Sequence, residues 1–260
     1  MKFTNSQITD IINLSENHFQ KDIAKLFNTT QPSISRILKN NGISQKRSRI
    51  SESWLKFDEK YFENINSYDK AYWLGFISAD GCLKNNKVRL VSKDLEVIEK
   101  FKKSIKSEHK IVKSTTTDKR SGKNYTSYII SITNNKFTKT VEKFIPINKS
   151  YEFILPKINK KYMKYFIAGM FDGDGSIGLK NGKLRISLIS SKECLNQIQS
   201  ILYNECNIGK TKIQDHYTTY RMYLYKDSDK FLEFIYDDDF GDIYLSRKYK
   251  IWKEYETNLC

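Results

Sequence analysis

A chain of 260 residues with 45 Lys and Arg against 30 Asp and Glu carries a formal net charge of +15. That length holds one large domain or a small one beside a medium one, and that charge calls for a polyanionic partner or an acidic membrane surface. No apolar run approaches the length of a membrane span and the N-terminus lacks a secretory apolar core, which leaves nucleic acid as the expected partner. The 17 Tyr and 15 Phe set the chain apart from a disordered basic tail. Its three histidines, His18, His109 and His216, are scattered, which argues against a His general base or a His-rich metal site. Cys82, Cys194, Cys206 and Cys260 form no C-x-x-C pair, so neither zinc nor a disulfide framework is expected, and a reducing compartment fits.

Residues 1–43 read as a small all-α unit. Ile8, Ile11, Ile12 and Leu14 predict a first amphipathic helix, and Ile23, Ala24, Leu26 and Phe27 a second. A third begins at Gln31, with Thr30 as N-cap, Pro32 in the first turn, Ile34, Ile37 and Leu38 turned inward, and Gly42 as the stop. The segment resembles a helix-turn-helix of the resolvase or small-regulator type. That likeness places the start of the third helix against base edges in the major groove, with Gln31, Ser33, Ser35 and Arg36 as the contacts. A protein-binding three-helix bundle is the competing reading; the basic balance favours DNA. Residues 44–57 are expected to be a basic linker, in which Lys46, Arg47 and Arg49 either follow phosphates or simply solvate a tether.

From residue 58 the chain repeats itself, as 58–157 and 158–260. Tyr72–Gly81 reads YWLGFISADG and Phe166–Gly175 reads FIAGMFDGDG. Gly75 aligns with Gly169, Ala79 with Gly173, Asp80 with Asp174 and Gly81 with Gly175. Asp80 and Asp174 are 94 residues apart, and so are the later landmarks Lys136 and Lys230, which indicates an internal duplication. Each unit reads as helix, two strands, helix, two strands, helix. The expected fold class is α+β: two pseudo-symmetric αββαββα repeats behind a small all-α domain.

Small residues at i and i+4 leave one helix face nearly bare, so the two apolar runs are expected to pack backbone to backbone and in parallel. Each ends in Asp-Gly, where a glycine stop in the left-handed conformation is expected. Parallel packing brings Asp80 and Asp174 together at the helix C-termini, where carboxylates oppose the macrodipole and repel each other. A divalent cation held by carboxylate and carbonyl oxygens resolves that conflict. Both stretches resemble the motif of the LAGLIDADG homing endonucleases, and the chain resembles their two-motif, single-chain branch. The resemblance implies a monomeric, Mg²⁺-dependent, site-specific cleavage of double-stranded DNA, with two or more ions shared between Asp80 and Asp174 and with Ala79 and Gly173 beside them. It also implies an intracellular setting: a bacterial or phage-infected cytoplasm, or an organelle.

The strand pattern agrees. Tyr128, Ile130 and Ile132 alternate with Tyr125, Ser127 and Ser131, and Met222 and Leu224 alternate with Arg221, Tyr223 and Tyr225. Arg89, Arg185, Lys110 and Lys212 fall on the outward sides of their strands. A face of Arg, Lys, Tyr and Ser suits groove readout, and the resemblance implies two sheets forming a saddle over the duplex. It also places a basic residue near the scissile region in each repeat, a role that falls on Lys149 and Lys248, with Arg247 and Lys250 as rivals for the second. The acidic cluster Asp237, Asp238, Asp239 and Asp242 has no counterpart in the first repeat and no calcium-loop spacing, and is expected to be a surface loop. The alternative function is a non-cleaving DNA-binding regulator or an intron-splicing maturase on the same scaffold.

Overall fold

The computed structural model describes residues 3–15, 20–43, 55–118, 121–146, 152–236 and 241–258. The chain divides into two compact units, Met1–Ser51 and Glu52–Cys260. In the first, helices α1 (Asn5–Ser15), α2 (Gln20–Leu26) and α3 (Gln31–Asn40) close over Ile11, Ile23, Ala24, Ile34 and Leu38. Thr30 sits at the N-cap of α3 without a side-chain cap bond; its hydroxyl meets that of Ser33 at 3.0 Å. Gly42, at φ +70°, lets the chain turn back so that the Ile43 amide reaches the Leu38 carbonyl at 2.9 Å.

The second unit holds two copies of one plan. The first runs α4 (Tyr68–Asp80), β1 (Gly81–Lys84), β2 (Lys87–Ser92), α5 (Leu95–Ser104), β3 (Val112–Thr117), β4 (Asn124–Thr133) and α6 (Asn135–Glu142). The second runs α7 (Lys160–Asp174), β5 (Ser176–Lys180), β6 (Lys183–Ser190), α8 (Lys192–Cys206), β7 (Ile213–His216), β8 (Thr219–Leu224) and α9 (Ser228–Ile235), with α10 (Ser246–Thr257) after it. Each copy builds a four-stranded antiparallel sheet, ordered β1-β2-β4-β3 and β5-β6-β8-β7. Tight turns open both: Asn85 and Asn86 join β1 to β2, and Asn181 and Gly182 join β5 to β6, all with positive φ as a twist-matched hairpin requires.

One face of each sheet is buried by the helices. Val88, Leu90, Ile130 and Ile132 pack beneath α5, while Leu184, Ile186, Leu188, Met222 and Leu224 pack beneath α8 and α9. Asn134 caps α6 by accepting from the Phe137 amide, and Ser191 caps α8 by accepting from the Cys194 amide. Burial pushes the Cys194 thiol up to about 12, so this cysteine is an inert core residue. Among the described residues no helix is long and apolar enough to cross a membrane.

The centre of the unit is the α4–α7 seam. A Cβ on Gly75 would stand 2.0 Å from the Phe166 carbonyl oxygen, and one on Gly169 2.0 Å from that of Tyr72. Nothing larger than glycine fits either position, and the matched order of contacts makes the helices parallel. The glycines after the aspartates correct one expectation. Gly81 (φ −83°) and Gly175 (φ −78°) are extended rather than left-handed. They lack side chains for a steric reason instead: a Cβ would lie 2.5 Å from the Ile77 carbonyl oxygen or 2.4 Å from that of Phe171.

Candidate active site and nucleic-acid interface

The parallel seam delivers Asp80 and Asp174 to the same end of the molecule, at the last residues of α4 and α7. Asp80 is half-buried and Asp174 exposed. The floor between them is bare: a Cβ on Gly173 would stand 2.4 Å from the Ala79 Cβ and 3.6 Å from the Asp80 carboxyl carbon. Carboxylate oxygens from two helix ends are donors of the kind a hard divalent cation takes. Among the described residues no group of three or more His, Cys, Asp or Glu gathers as a metal cage. Beside Asp80 opens a cleft of about 310 Å³, bounded by Phe76, Ser127, Asp172, Gly173 and Arg247 among others.

Two motif positions that look equivalent in sequence differ in structure. Ser78 donates to the Gly75 carbonyl at 2.6 Å, a bond within its own helix. Its counterpart Asp172 is 1 % exposed and gathers distant partners. It accepts from the Tyr72 hydroxyl at 2.8 Å, from the Leu245 amide at 2.8 Å and from the Tyr236 hydroxyl. Burial pushes its carboxyl up, against the pull of the nearby Lys248 charge. Asp172 is thus a structural anchor that ties both motif helices to the segment leading into α10.

Lys248, the residue expected near the scissile region, is 1 % exposed and turns its side chain to the foot of α7, beside Asp174. The ammonium donates to the carbonyls of Phe171, of Asp172 at 3.0 Å and of Gly175 at 2.5 Å. These carbonyls lie at and just past the C-terminus of α7, where a cation complements the dipole. Burial lowers its pKa to about 8, opposed by the charges of Asp172, Asp80 and Asp174. The neighbouring Arg247 is the residue that reaches the cleft, exposed and tied by its Nε to Asp94 at 2.9 Å. Cross-repeat bonds hold this segment in place: the Ser246 amide and hydroxyl donate to Glu96 at 3.0 and 2.8 Å, and Lys100 to the Tyr244 carbonyl at 2.9 Å.

The uncovered sheet faces carry most of the residues expected on them. Arg89 is exposed opposite Cys82 and Ser131, and Ser127 and Tyr125 lie on the same face opposite Ser114 and Thr116. Arg185 is exposed opposite Gly178, and Arg221 and Tyr223 lie on that same face of the second sheet. Lys110 and Lys212 are exposed but precede β3 and β7, so alternation along a strand does not place them. In the first unit Gln31, Ser35 and Arg36 are exposed and Ser33 half-buried along one side of α3. Lys46, Arg47, Arg49, Lys149 and Asp237–Asp239 lie outside the described residues. Sequence reasoning missed the anchoring of Asp172, the burial of Lys248 and the Asp94–Arg247 pair; the one available signal was an Asp in the second motif where the first has Ser78.

A family model described as a LAGLIDADG-like domain matches residues 67–146 and 161–236. The chain belongs to this LAGLIDADG-like family. Among solved structures it is similar to the homing endonuclease I-WcaI bound to its DNA recognition sequence, with a TM-score of 0.55 and 16% identity over 82% of this chain and 96% of that one. It is also similar to full-length DUF199/WhiA from Thermatoga maritima, with a TM-score of 0.48 and 18% identity over 78% of this chain and 65% of that one. For the LAGLIDADG meganuclease I-AabMI bound to uncleaved DNA the values are 0.39 and 13%, over 72% and 91%. At such identities the likeness is one of fold. No curated protein matches the chain.

Proposed function

We propose that this protein is a site-specific endonuclease that binds double-stranded DNA and cuts both strands with Mg²⁺. The observation that carries this reading is the convergence of Asp80 and Asp174 over the bare floor at Gly173, where the two basic sheet faces begin. Two carboxylates, the nearby Arg247 and a cleft suit phosphodiester hydrolysis better than any chemistry the scattered histidines and cysteines offer. A bound divalent ion supplies charge neutralisation at the phosphate and a more acidic water.

The chain's own residues have distinct parts. Asp80 and Asp174, with the carbonyls of Ala79 and Gly173, hold the cation. Lys248 and Asp172 fix the foot of α7, so that Asp174 meets its ligand without rearrangement. Arg247 faces the scissile phosphate from the Asp80 side, and Lys149 supplies a cation in the first repeat. The sheet faces bring Arg89, Tyr125 and Ser127 to one half of the target and Arg185, Arg221 and Tyr223 to the other, while Lys110 and Lys212 meet phosphates. Both halves of the site reside in one chain, so a monomer suffices. The α1–α3 unit, through Gln31, Ser33, Ser35 and Arg36, and the linker cations Lys46, Arg47 and Arg49 lengthen the footprint. A break at a long, rare site is the event that would spread the gene or intron encoding such an enzyme.

The test is to incubate the protein and Mg²⁺ with a plasmid library of random or genomic inserts and sequence the ends. One recurrent long site cut on both strands is the expected result. Specific binding without cleavage in any divalent metal would favour a non-cleaving regulator, and an absence of both would overturn the reading.

A further inference from the structure

The two sheet faces derive from one duplicated plan but carry different chemistry. On the second sheet four side chains form a continuous row. The Arg185 guanidinium lies 5.4 Å from the Tyr225 ring centre, and Tyr225 stacks on Tyr223 at 5.4 Å with planes 7° apart. The Arg221 guanidinium lies 5.7 Å from the Tyr223 ring. Arg221 also donates to the Tyr223 hydroxyl at 3.1 Å and to His216 Nε2 at 2.5 Å. Both guanidinium groups are therefore held before any ligand arrives, which reduces the entropy lost on binding. They stand at opposite ends of the stacked tyrosines, so they reach different base pairs. Arg185 has further room: its cross-strand neighbour is Gly178, with open space above it, and a notch of about 270 Å³ lies against Arg185 and Tyr225.

On the first sheet Arg89 holds the place of Arg185, opposite Cys82 as Arg185 is opposite Gly178, but the next row along is apolar. Val91 pairs with Ile129, and Ile129 with Val112, giving one uncharged row across β2, β4 and β3 on the uncovered face. Val112 is 56% exposed there, and Ile129 and Val91 are half-buried. An isolated apolar row on a polar sheet face has little to contribute to folding; it fits a partner that presents methyl groups.

Resting on the DNA-target reading above, we infer that the two halves of the target are read differently beyond the shared Arg89 and Arg185 position: the half under the second sheet is specified by guanines at two positions, read by Arg185 and Arg221, and the half under the first sheet, past Arg89, by thymine methyls against Val91, Ile129 and Val112. A guanidinium offers the paired donors that match guanine O6 and N7, and no other base edge accepts both. Thymine alone presents a methyl group in the major groove.

The experiment is selection of bound duplexes from a randomised DNA library with the full chain, for wild type and for Arg185→Ala, Arg185→Lys and Arg221→Ala. Arg185→Ala should lower the preference for guanine at one position by about tenfold or more, leaving the others intact. Arg185→Lys should bind as tightly while losing most of that preference, because a point charge cannot make the paired bond. Arg221→Ala should affect a second position in the same half. With wild-type protein, replacing thymine by uracil in the other half should weaken binding, a readout that needs no variant to fold. Enrichment of no sequence at all would remove the DNA-target reading itself. A defined target whose guanine preference survives Arg185→Ala and Arg185→Lys, or whose binding ignores uracil in the other half, would overturn the asymmetry alone.

Discussion

The hydroxyl of Tyr72 on α4 donates to the carboxylate of Asp172 on α7 at 2.8 Å, joining the two motif helices through a side-chain bond inside their seam. Tyr236 donates to the same carboxylate. Burial, and then the Asp172 charge, hold both phenols well above the ordinary tyrosine range. A folded-state pKa raised above an unfolded value of about 10 gives stability that is complete below that pH and is lost as pH rises beyond it. Phenolate absorbance of wild type minus Tyr72→Phe, and minus Tyr236→Phe, should stay near zero until the circular dichroism signal collapses. A phenolate that appears at about pH 10 with the fold intact would contradict the assignment.

The seam tolerates no side chain at Gly75 or Gly169, where the opposing atoms are backbone and cannot move aside. Gly75→Ala and Gly169→Ala should each destabilise the second unit by about 1–3 kcal/mol or more. The midpoint of denaturant unfolding reports this directly. Gly178→Ala, with open space around its Cβ, serves as the control and should shift the midpoint little. Equal midpoints for all three would mean that the helices do not meet at those glycines.

Lys248 is placed to act from within. Lys248→Met keeps most of the side-chain volume but leaves the carbonyls at the foot of α7 without their cation, at a cost of about 1–3 kcal/mol. Lys250→Ala, at an exposed site on the same helix, should be neutral within error. Thermal melting of the two variants decides the matter. A Lys248→Met protein as stable as wild type would put the side chain elsewhere.

Much of this could be read from the residues in order. Small residues at i and i+4 in two matched runs have few explanations, and the seam followed from them. Alternation in Tyr125–Ile132 and Arg221–Tyr225 separated the buried face of each sheet from the free one. What stayed hidden depends on long-range placement. The partners of Asp172 lie 64 to 100 residues away along the chain. The burial of Lys248 follows from where α10 docks, which its own helical pattern does not state. The row from Arg185 to Arg221 exists only because β6 pairs with β8, a register that skips an intervening helix and strand. Lys110 and Lys212 were misplaced because strand starts are weakly marked: β3 begins at Val112 and β7 at Ile213.

Deleting residues 1–50 should shorten the DNA footprint at one end, weaken binding and reduce its salt dependence, because phosphate contacts are lost. The remaining core should cut at the same phosphates. Gln31→Ala with Arg36→Ala should relax base preference only at that distal end. Footprinting across a salt series checks each point. An unchanged footprint would mean that the α1–α3 unit binds something other than this target.

The most direct measurement compares wild type with Asp80→Asn and Asp174→Asn on the selected target, scoring binding and cleavage side by side in Mg²⁺. Carboxylates that hold the cation contribute to chemistry, whereas affinity comes from phosphate and groove contacts. Both variants should bind with the salt dependence of wild type and fail to make the double-strand break. Cleavage of both strands at the wild-type rate by either variant would contradict the account.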